Sequence, residues 1–502
     1  MATVVLPHSL QSPSAPPILR FPYEITLAIL LEAVAYSGPT WKWTLPLILK
    51  HVCRDWARVI LMEHQLWATV DWDVLTSFPP ARMRNVLLLS GNSPLKVHLS
   101  GNVFYPYPDF QHPDFQHLLE SLELGLRGLA DHTSRIVLFE ALNMPCEAMS
   151  LIFDTFKTCP APKLRDLRLG ISTNTEKPWG PQDRAWTLFG GVMPMLQIAR
   201  IHDAPGAWSS CVNMTTLDIT EEMFPLGVLL QTLQYCTRLR YLRLEFIDYD
   251  YDDDRDTKIV VELPHLRRLN IQCPTPAELY FLRQLSIPLA TSIELSFTTL
   301  TRVQAVTHAP DCCVTCNIAS GTEELTLELR NGEFGKENVL RSPTGLLTIA
   351  YCHLYGVDDP ALPEVYCGLG IFSLPALRTL TIHGHATDTF PAKEWERVFA
   401  SLSSLVRLNL QNVQTLITPI KLLGFVGPAD SPSVYCPKLH TLTMEFSTGD
   451  HADIVRVVKE SMKTRAEQGL GLESCQFTLK MDEEIKALMS DMKCAVIINE
   501  IF

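Results

Sequence analysis

The sequence predicts an α/β solenoid, a stack of strand-and-helix repeats, preceded by a small all-α unit of three helices. Three observations lead there. An apolar spacing, L-x-x-L-x-L, returns from about residue 160 to residue 444. Several copies follow an amphipathic helical segment. The first seventy residues lack that spacing and carry short apolar faces of helical period instead. With 502 residues the chain is long enough for two to four ordinary domains or for one elongated array.

Residues 1–20 contain Pro7, Pro13, Pro16 and Pro17 but no cationic cluster and no long apolar run. They predict a disordered, proline-rich arm rather than a signal peptide. A helical unit follows over 21–70. Pro22 suits a first helical turn, where its missing N–H costs nothing. Glu24 places negative charge at the positive end of the helix dipole. Ile25, Ile29 and Leu30 give an apolar face that Ala33 and Val34 continue, and "SGPT" at 37–40 ends the helix. A second short helix is predicted from Trp43 to about Lys50. Val52, Trp56, Val59 and Ile60 fall at i, i+4, i+7 and i+8, which predicts the face of a third.

The typed residues of this unit carry a resemblance. Pro22–Tyr23–Glu24–Ile25, then Leu47, then Val52–Cys53–Arg54–Asp55–Trp56, then Leu66–Trp67 resemble the F-box pattern Leu-Pro-x-Glu-Ile … Val-Cys-(Lys/Arg)-x-Trp … Leu-Trp. The resemblance covers about a tenth of the chain. It departs at Phe21, where the family has Leu, and in a longer link around Trp41–Trp43. It implies that the unit binds the Skp-type adaptor of a ubiquitin ligase and, through it, a cullin. Pro22, Glu24, Ile25, Val52, Cys53 and Trp56 would form or support that contact. The other reading of the same helices is a cap on the domain that follows.

Residues 71–135 read as a linker with irregular first repeats. They hold one alternating strand, Leu95–Val97–Leu99, and a second begins at Ile136 and Leu138. At fold level this stretch resembles F-box proteins of mushroom-forming fungi. From 136 to 502 the chain reads as irregular leucine-rich repeats. Strong copies place Leu164–Leu167–Leu169, Leu239–Leu242–Leu244, Leu266–Leu269–Ile271, Leu377–Leu380–Ile382, Leu405–Leu408–Leu410 and Leu439–Leu442–Met444. Weaker copies fall at Leu196–Ala199–Ile201, Met214–Leu217–Ile219, Ile293–Leu295 and Leu325–Leu327. The last two apolar residues of each copy alternate, as a strand with one buried face requires. Helices are predicted around Met149–Phe156, Leu226–Leu233 and Trp395–Leu402. Prolines 264, 375 and 437 end the connection that leads into a strand. A doubly wound α/β domain would show longer apolar runs and no fixed spacing.

The charge balance, −13 from 42 basic and 55 acidic residues, repels phosphate backbones and argues against a nucleic-acid partner. No run of eighteen apolar residues suggests a membrane span. The 14 cysteines follow no disulfide framework and read as reduced thiols of a cytoplasmic or nuclear protein. "CCVTC", Cys312 to Cys316, lacks the second pair that a structural zinc site uses, so no metal is expected. "DYDYDDDRD" at 248–256 lacks the Gly and Glu of a calcium loop. "HGH" at 383–385 has no catalytic companion, and Asn213-Met-Thr215 is a glycosylation sequon without a secretory context. No phosphate loop or nucleophile motif occurs. The F-box resemblance implies a non-catalytic receptor subunit, and no cofactor is expected.

In each repeat strand the residue between the last two apolar positions faces away from the core. Those residues line up as Arg168, Arg200, Asp218, Arg243, Asn270, Thr381, Asn409 and Thr443, with Arg268 and Arg407 one row over. The row is basic early and neutral later. Arg168, Arg200, Arg243 and Arg268 are thus the candidates for binding an acidic or phosphorylated segment of a protein substrate.

Overall fold

The computed structural model describes residues 21–36, 45–73, 80–101, 113–172, 188–202, 212–220, 226–245, 260–272, 282, 284–288, 290–298, 323–332, 335–343, 347–354, 376–384, 392–411, 417–424, 435–446, 452–479, 483–490, 492 and 494–500. The proline-rich arm, "SGPT", "DYDYDDDRD", "CCVTC", His385 and Pro375 lie outside these residues. The protein is an α/β fold with a mostly parallel sheet and several helices, in two compact units, 1–217 and 218–502.

In the first unit, α1 (Tyr23–Tyr36), α2 (Leu45–Leu49), α3 (Arg54–Met62) and a 3-10 turn (His64–Trp67) come first. Strands and helices then alternate: β1 (Thr69–Asp73), α4 (Pro80–Leu89), β2 (Leu95–Ser100), α5 (Pro113–Ala130), β3 (Ile136–Met144), α6 (Cys146–Phe156), β4 (Asp166–Ile171) and β5 (Ile198–His202). These five strands pair in sequence order, all parallel. The alternation thus already runs through 71–135, the stretch whose sequence showed only one strand. The register slips between Leu95 and Lys96, so Ile136, Phe139 and Ala141 point inward and Leu138 does not. A T-shaped contact of Phe139 with Phe156 fastens α6 to the sheet. Gly125 of α5 lies against the Trp72 ring, where a Cβ would come within 2.5 Å. The division between the units falls inside β6 (Thr216–Thr220).

The second unit holds α7 (Leu226–Tyr235), β7 (Tyr241–Glu245), β8 (Val261–Glu262), β9 (Arg268–Gln272), β10 (Leu285–Ser286), β11 (Ser292–Thr298), β12 (Glu324–Gly332), β13 (Gly335–Arg341), β14 (Leu347–Leu354) and β15 (Thr379–Gly384). Then follow α8 (Ala392–Ser401), β16 (Arg407–Gln411), α9 (Ile417–Leu423), β17 (Thr441–Glu445), α10 (Ala452–Glu467), β18 (Ser474–Leu479), α11 (Glu483–Ser490) and β19 (Ala495–Glu500). β7, β9 and β11 pair in parallel, as do β15 to β19. Between them β12, β13 and β14 form an antiparallel meander, with β14 beside β11 and β12 beside β15. Uniform repeats would make every strand parallel. The break is local: β12 and β13 pair antiparallel from Thr326 opposite Arg341 to Gly332 opposite Gly335, a hairpin where a repeat would have crossed over.

One turn recurs ahead of the strands. Leu164, Leu196, Leu239, Leu266, Leu405 and Leu439 each donate their N–H to the carbonyl three residues back. All six side chains are buried, each contributing roughly 1.5–3 kcal/mol of burial. Pro162, Pro264 and Pro437 occupy the second position of such turns, where their fixed φ is already correct. The predicted inward pairs, from Leu167 and Leu169 to Leu442 and Met444, are buried throughout the strands where their side chains are described.

A buried cation braces the second unit. Arg465 of α10, fully buried, donates to the carbonyls of Leu423 (3.1 Å), Tyr435 (2.9 Å) and Cys436 (3.0 Å). It thereby satisfies the end of α9 and a turn in which Cys436 takes a left-handed φ of 48°. Arg135 plays the same part in the first unit. It donates to Leu87 O (3.0 Å), Ser90 Oγ (2.9 Å) and Ser93 O (3.3 Å) at the end of α4. No helix among the described residues is long and apolar enough to cross a membrane.

Candidate interaction surface

The N-terminal helices divide their apolar residues between a core and a surface. Leu30, Val34, Trp56, Val59, Ile60, Leu66 and Trp67 form one buried cluster, onto which Leu27, Leu31, Leu45, Leu47, Leu49, Cys53 and Leu89 pack. α1 therefore buries the stripe Thr26–Leu30–Val34, with Leu27 and Leu31 beside it. Ile25 and Ile29, expected on the buried face, are exposed. Nearly every residue of this helix is apolar, so period alone does not select the inward side. Val52 was expected to open the face of α3. It stands instead in the turn before that helix, 57% exposed, with its N–H on Leu49 O (3.1 Å).

The six residues of the motif thus separate into two groups. Pro22, Glu24, Ile25 (47% exposed) and Val52 are on the surface. Pro22 caps α1, its carbonyl accepting from Ile25 (3.1 Å) and Thr26 (3.0 Å). Cys53 and Trp56 build the unit. Cys53 is the N-cap of α3, and its Sγ accepts the Trp56 N–H at 3.4 Å. Trp56 is buried, its indole N–H without a partner among the described residues. The indole of Trp67 donates to Ile60 O at 2.7 Å and folds the 3-10 turn back on α3. Tyr23, half-exposed, donates to the Glu63 carboxylate, which pushes its hydroxyl up to about 12.

Exposed large apolar side chains concentrate in this segment. Eighteen are exposed among the described residues, and nine of them, from Phe21 to Met62, lie within 21–62. Single exposed apolar residues are ordinary, whereas a concentration of them marks an interaction surface.

The second candidate region is the outward row of the strands, and here the register agrees with the sequence reading. In the first unit Asp71, His98, Glu140, Arg168 and Arg200 stand opposite one another on successive strands. In the second, Arg243, Asn270 and Glu294 align, as do Thr381, Asn409 and Thr443. The sequence does not reveal that the arginines already have carboxylates. Arg168 takes Asp166 with two donors (2.8 and 3.2 Å) and Glu140 with a third (3.0 Å), and these pairs raise its pKa. His98 Nδ1 lies 3.0 Å from the other oxygen of Glu140. That hydrogen bond, with Arg168 behind it, holds the Glu140 carboxyl below the usual range. Arg243 reaches Glu245 (2.6 Å), Gln272 (3.1 Å) and Asp218 (3.7 Å). Arg200 and Arg268 are exposed and lack a carboxylate partner among the described residues. Among those residues no cluster of three His, Cys, Asp or Glu side chains could hold a metal ion, and the sequon's Asn213 already donates to Pro194 O at 2.7 Å.

No protein-family model matches this chain, and no curated protein matches it.

Proposed function

We propose that the chain is the substrate-recognition subunit of a Skp–cullin–F-box ubiquitin ligase. In this reading 21–67 is an F-box that binds a Skp-type adaptor, and the strands beyond it form an irregular leucine-rich-repeat solenoid that receives a protein substrate. The protein catalyses nothing itself. It raises the effective concentration of a substrate lysine near the ubiquitin-charged enzyme, in the cytoplasm or nucleus. One observation carries the proposal. The motif residues split into core builders, Cys53 and Trp56, and an exposed set that includes Ile25 and Val52, where apolar exposure is concentrated. A helical unit serving only itself would gain nothing from leaving those residues in water.

On the substrate side Arg200 and Arg268 become the leading candidates, each within its own unit. Arg168 and Arg243 are neutralised by carboxylates of their own and neighbouring strands and serve to hold the row's geometry. Capture of an acidic or phosphorylated segment through exposed arginines weakens with added salt.

A second reading, a repeat scaffold whose helices are only a cap, draws on the packing of Leu89 against the helical core. Co-purification separates the two. A ligase receptor retains the Skp-type adaptor, and Ile25→Asp with Val52→Asp releases it from a folded chain. A cap retains no adaptor. Surface variants serve better than removal of 21–67, which would strip the cover from Leu89.

A further inference from the structure

The C-terminal end of the second unit holds a cavity of about 410 Å³, within the ~300–1,000 Å³ usual for small-molecule sites. One wall is a stripe of α10 that brings Lys459, Met462, Lys463 and Glu467 to the same side. The other includes Met492 and Cys494, just ahead of β19. The two lysines against one glutamate give this lining a net positive charge in a chain of net −13. Its thiol is Cys494, half-buried.

Cys494 has a partner behind it. β18 and β19 pair with Cys475 opposite Val496, which puts buried Cys475 diagonally across from Cys494, two residues ahead of Val496. Their thiols are hydrogen-bonded. That bond, and burial after it, drive the Cys475 thiol far up, so Cys475 keeps its proton and donates it. The same bond stabilises the Cys494 thiolate and lowers the pKa of that thiol. Cys475 is a positioning residue for Cys494.

We propose that Cys494 is a modification site that takes up small anionic disulfides of the glutathione type. The Cys494 thiolate attacks one sulfur of the disulfide. The reagent's S–S bond breaks, a Cys494–glutathione S–S bond forms, and the second glutathione leaves as a thiolate that takes a proton from water. The protein thiol is oxidised as the reagent is reduced. Lys459 and Lys463 attract the reagent's carboxylates. Glu467 opposes them from the same helix, and Cys475 is the titratable group facing Cys494 from β18.

The experiment uses the full reduced chain with glutathione disulfide at neutral pH, and peptide mass mapping over time. Cys494 should be labelled about tenfold faster than Cys146 and Cys159, which are also half-buried, because its thiolate fraction is larger. Its preference for glutathione disulfide over uncharged hydroxyethyl disulfide should exceed theirs. Lys459→Gln with Lys463→Gln should remove that preference, and Cys475→Ala should move the pH midpoint of Cys494 alkylation upward. The parent chain decides even where a variant does not fold. Labelling of Cys494 no faster than Cys146 and Cys159, or with no greater preference for the anionic reagent, overturns the proposal.

Discussion

The N-terminal helices and the outward row of the strands treat their surfaces in opposite ways. The helices leave apolar side chains in water: Ile25, Ile29, Ile48 and Val52 are all exposed. The strands carry charge outward but answer it from the same strand and the next, as Arg168 is answered by Asp166 of its own strand and Glu140 of β3. On the proposed function the first surface is completed by a partner, whereas the second is largely complete in itself. Burying each exposed aliphatic side chain on a partner offers roughly 1.5–3 kcal/mol. An already paired arginine must first give up its carboxylates before it grips anything else.

The largest stability effects come where each region is closed, in its interior. Arg465→Ala would remove the guanidinium donors from the carbonyls of Leu423, Tyr435 and Cys436, of which Cys436 keeps the Leu439 N–H, so urea denaturation should show the second unit destabilised by roughly 3–5 kcal/mol. Trp56→Ala should cost the helical unit about 3–5 kcal/mol through the cavity it opens in the cluster. Trp56→Phe should cost much less, because the indole N–H it removes has no described partner. A Phe variant as unstable as the Ala variant would show that the N–H matters.

Acid sharpens the contrast from the charged side. The folded-state pKa of Glu140 is depressed by His98 and then by Arg168. Its contribution is therefore fully present above the unfolded carboxyl pKa and is lost as pH falls through the lower folded value. Stability of the parent chain should fall as pH drops below the ordinary carboxyl range, a decline that Glu140→Gln makes shallower. Equal slopes for the two proteins would mean that the His98–Glu140–Arg168 chain is silent. The smallest effects lie on the row. Arg168→Ala should cost roughly 1 kcal/mol or less, given partial exposure and solvent screening. Arg200→Ala should stay within about 0.5 kcal/mol, and any loss it causes should appear in substrate capture and its salt dependence.

Much of the strand architecture was legible. Leu-x-x-Leu-x-Leu fixes both a turn and a two-residue period, so the inward pairs and the outward row followed directly, and β4, β7, β9, β16 and β17 match it residue for residue. The rest failed for identifiable reasons. β18 alternates as Cys475, Phe477 and Leu479 without the leading leucines of the template. The antiparallel meander of β12, β13 and β14 lies outside the repeat pattern. Arg465 sits in a helix with many charged residues, where nothing local distinguishes the one that is buried. The candidate site was legible as a motif but not as a surface. Spacing names Ile25, Val52, Cys53 and Trp56 together, and only the packing of Leu30 and Val34 against Trp56 separates exposed residues from core. Two of the four carboxylates on Arg168 and Arg243, Asp166 and Glu245, lie two residues away on the same strand face, and the other two, Glu140 and Asp218, come from other strands at separations that no single-strand pattern reports.

The most direct measurement is titration of the purified full-length chain with a purified Skp-type adaptor, beside the Ile25→Asp/Val52→Asp variant, by calorimetry. The expected result is saturable binding by the parent and at least about a hundredfold weaker binding by the variant, or roughly 2.7 kcal/mol, with the two proteins unfolding at the same urea concentration. Absence of binding by the parent, or equal binding by both proteins, would contradict the assignment of 21–67 as an adaptor-binding surface.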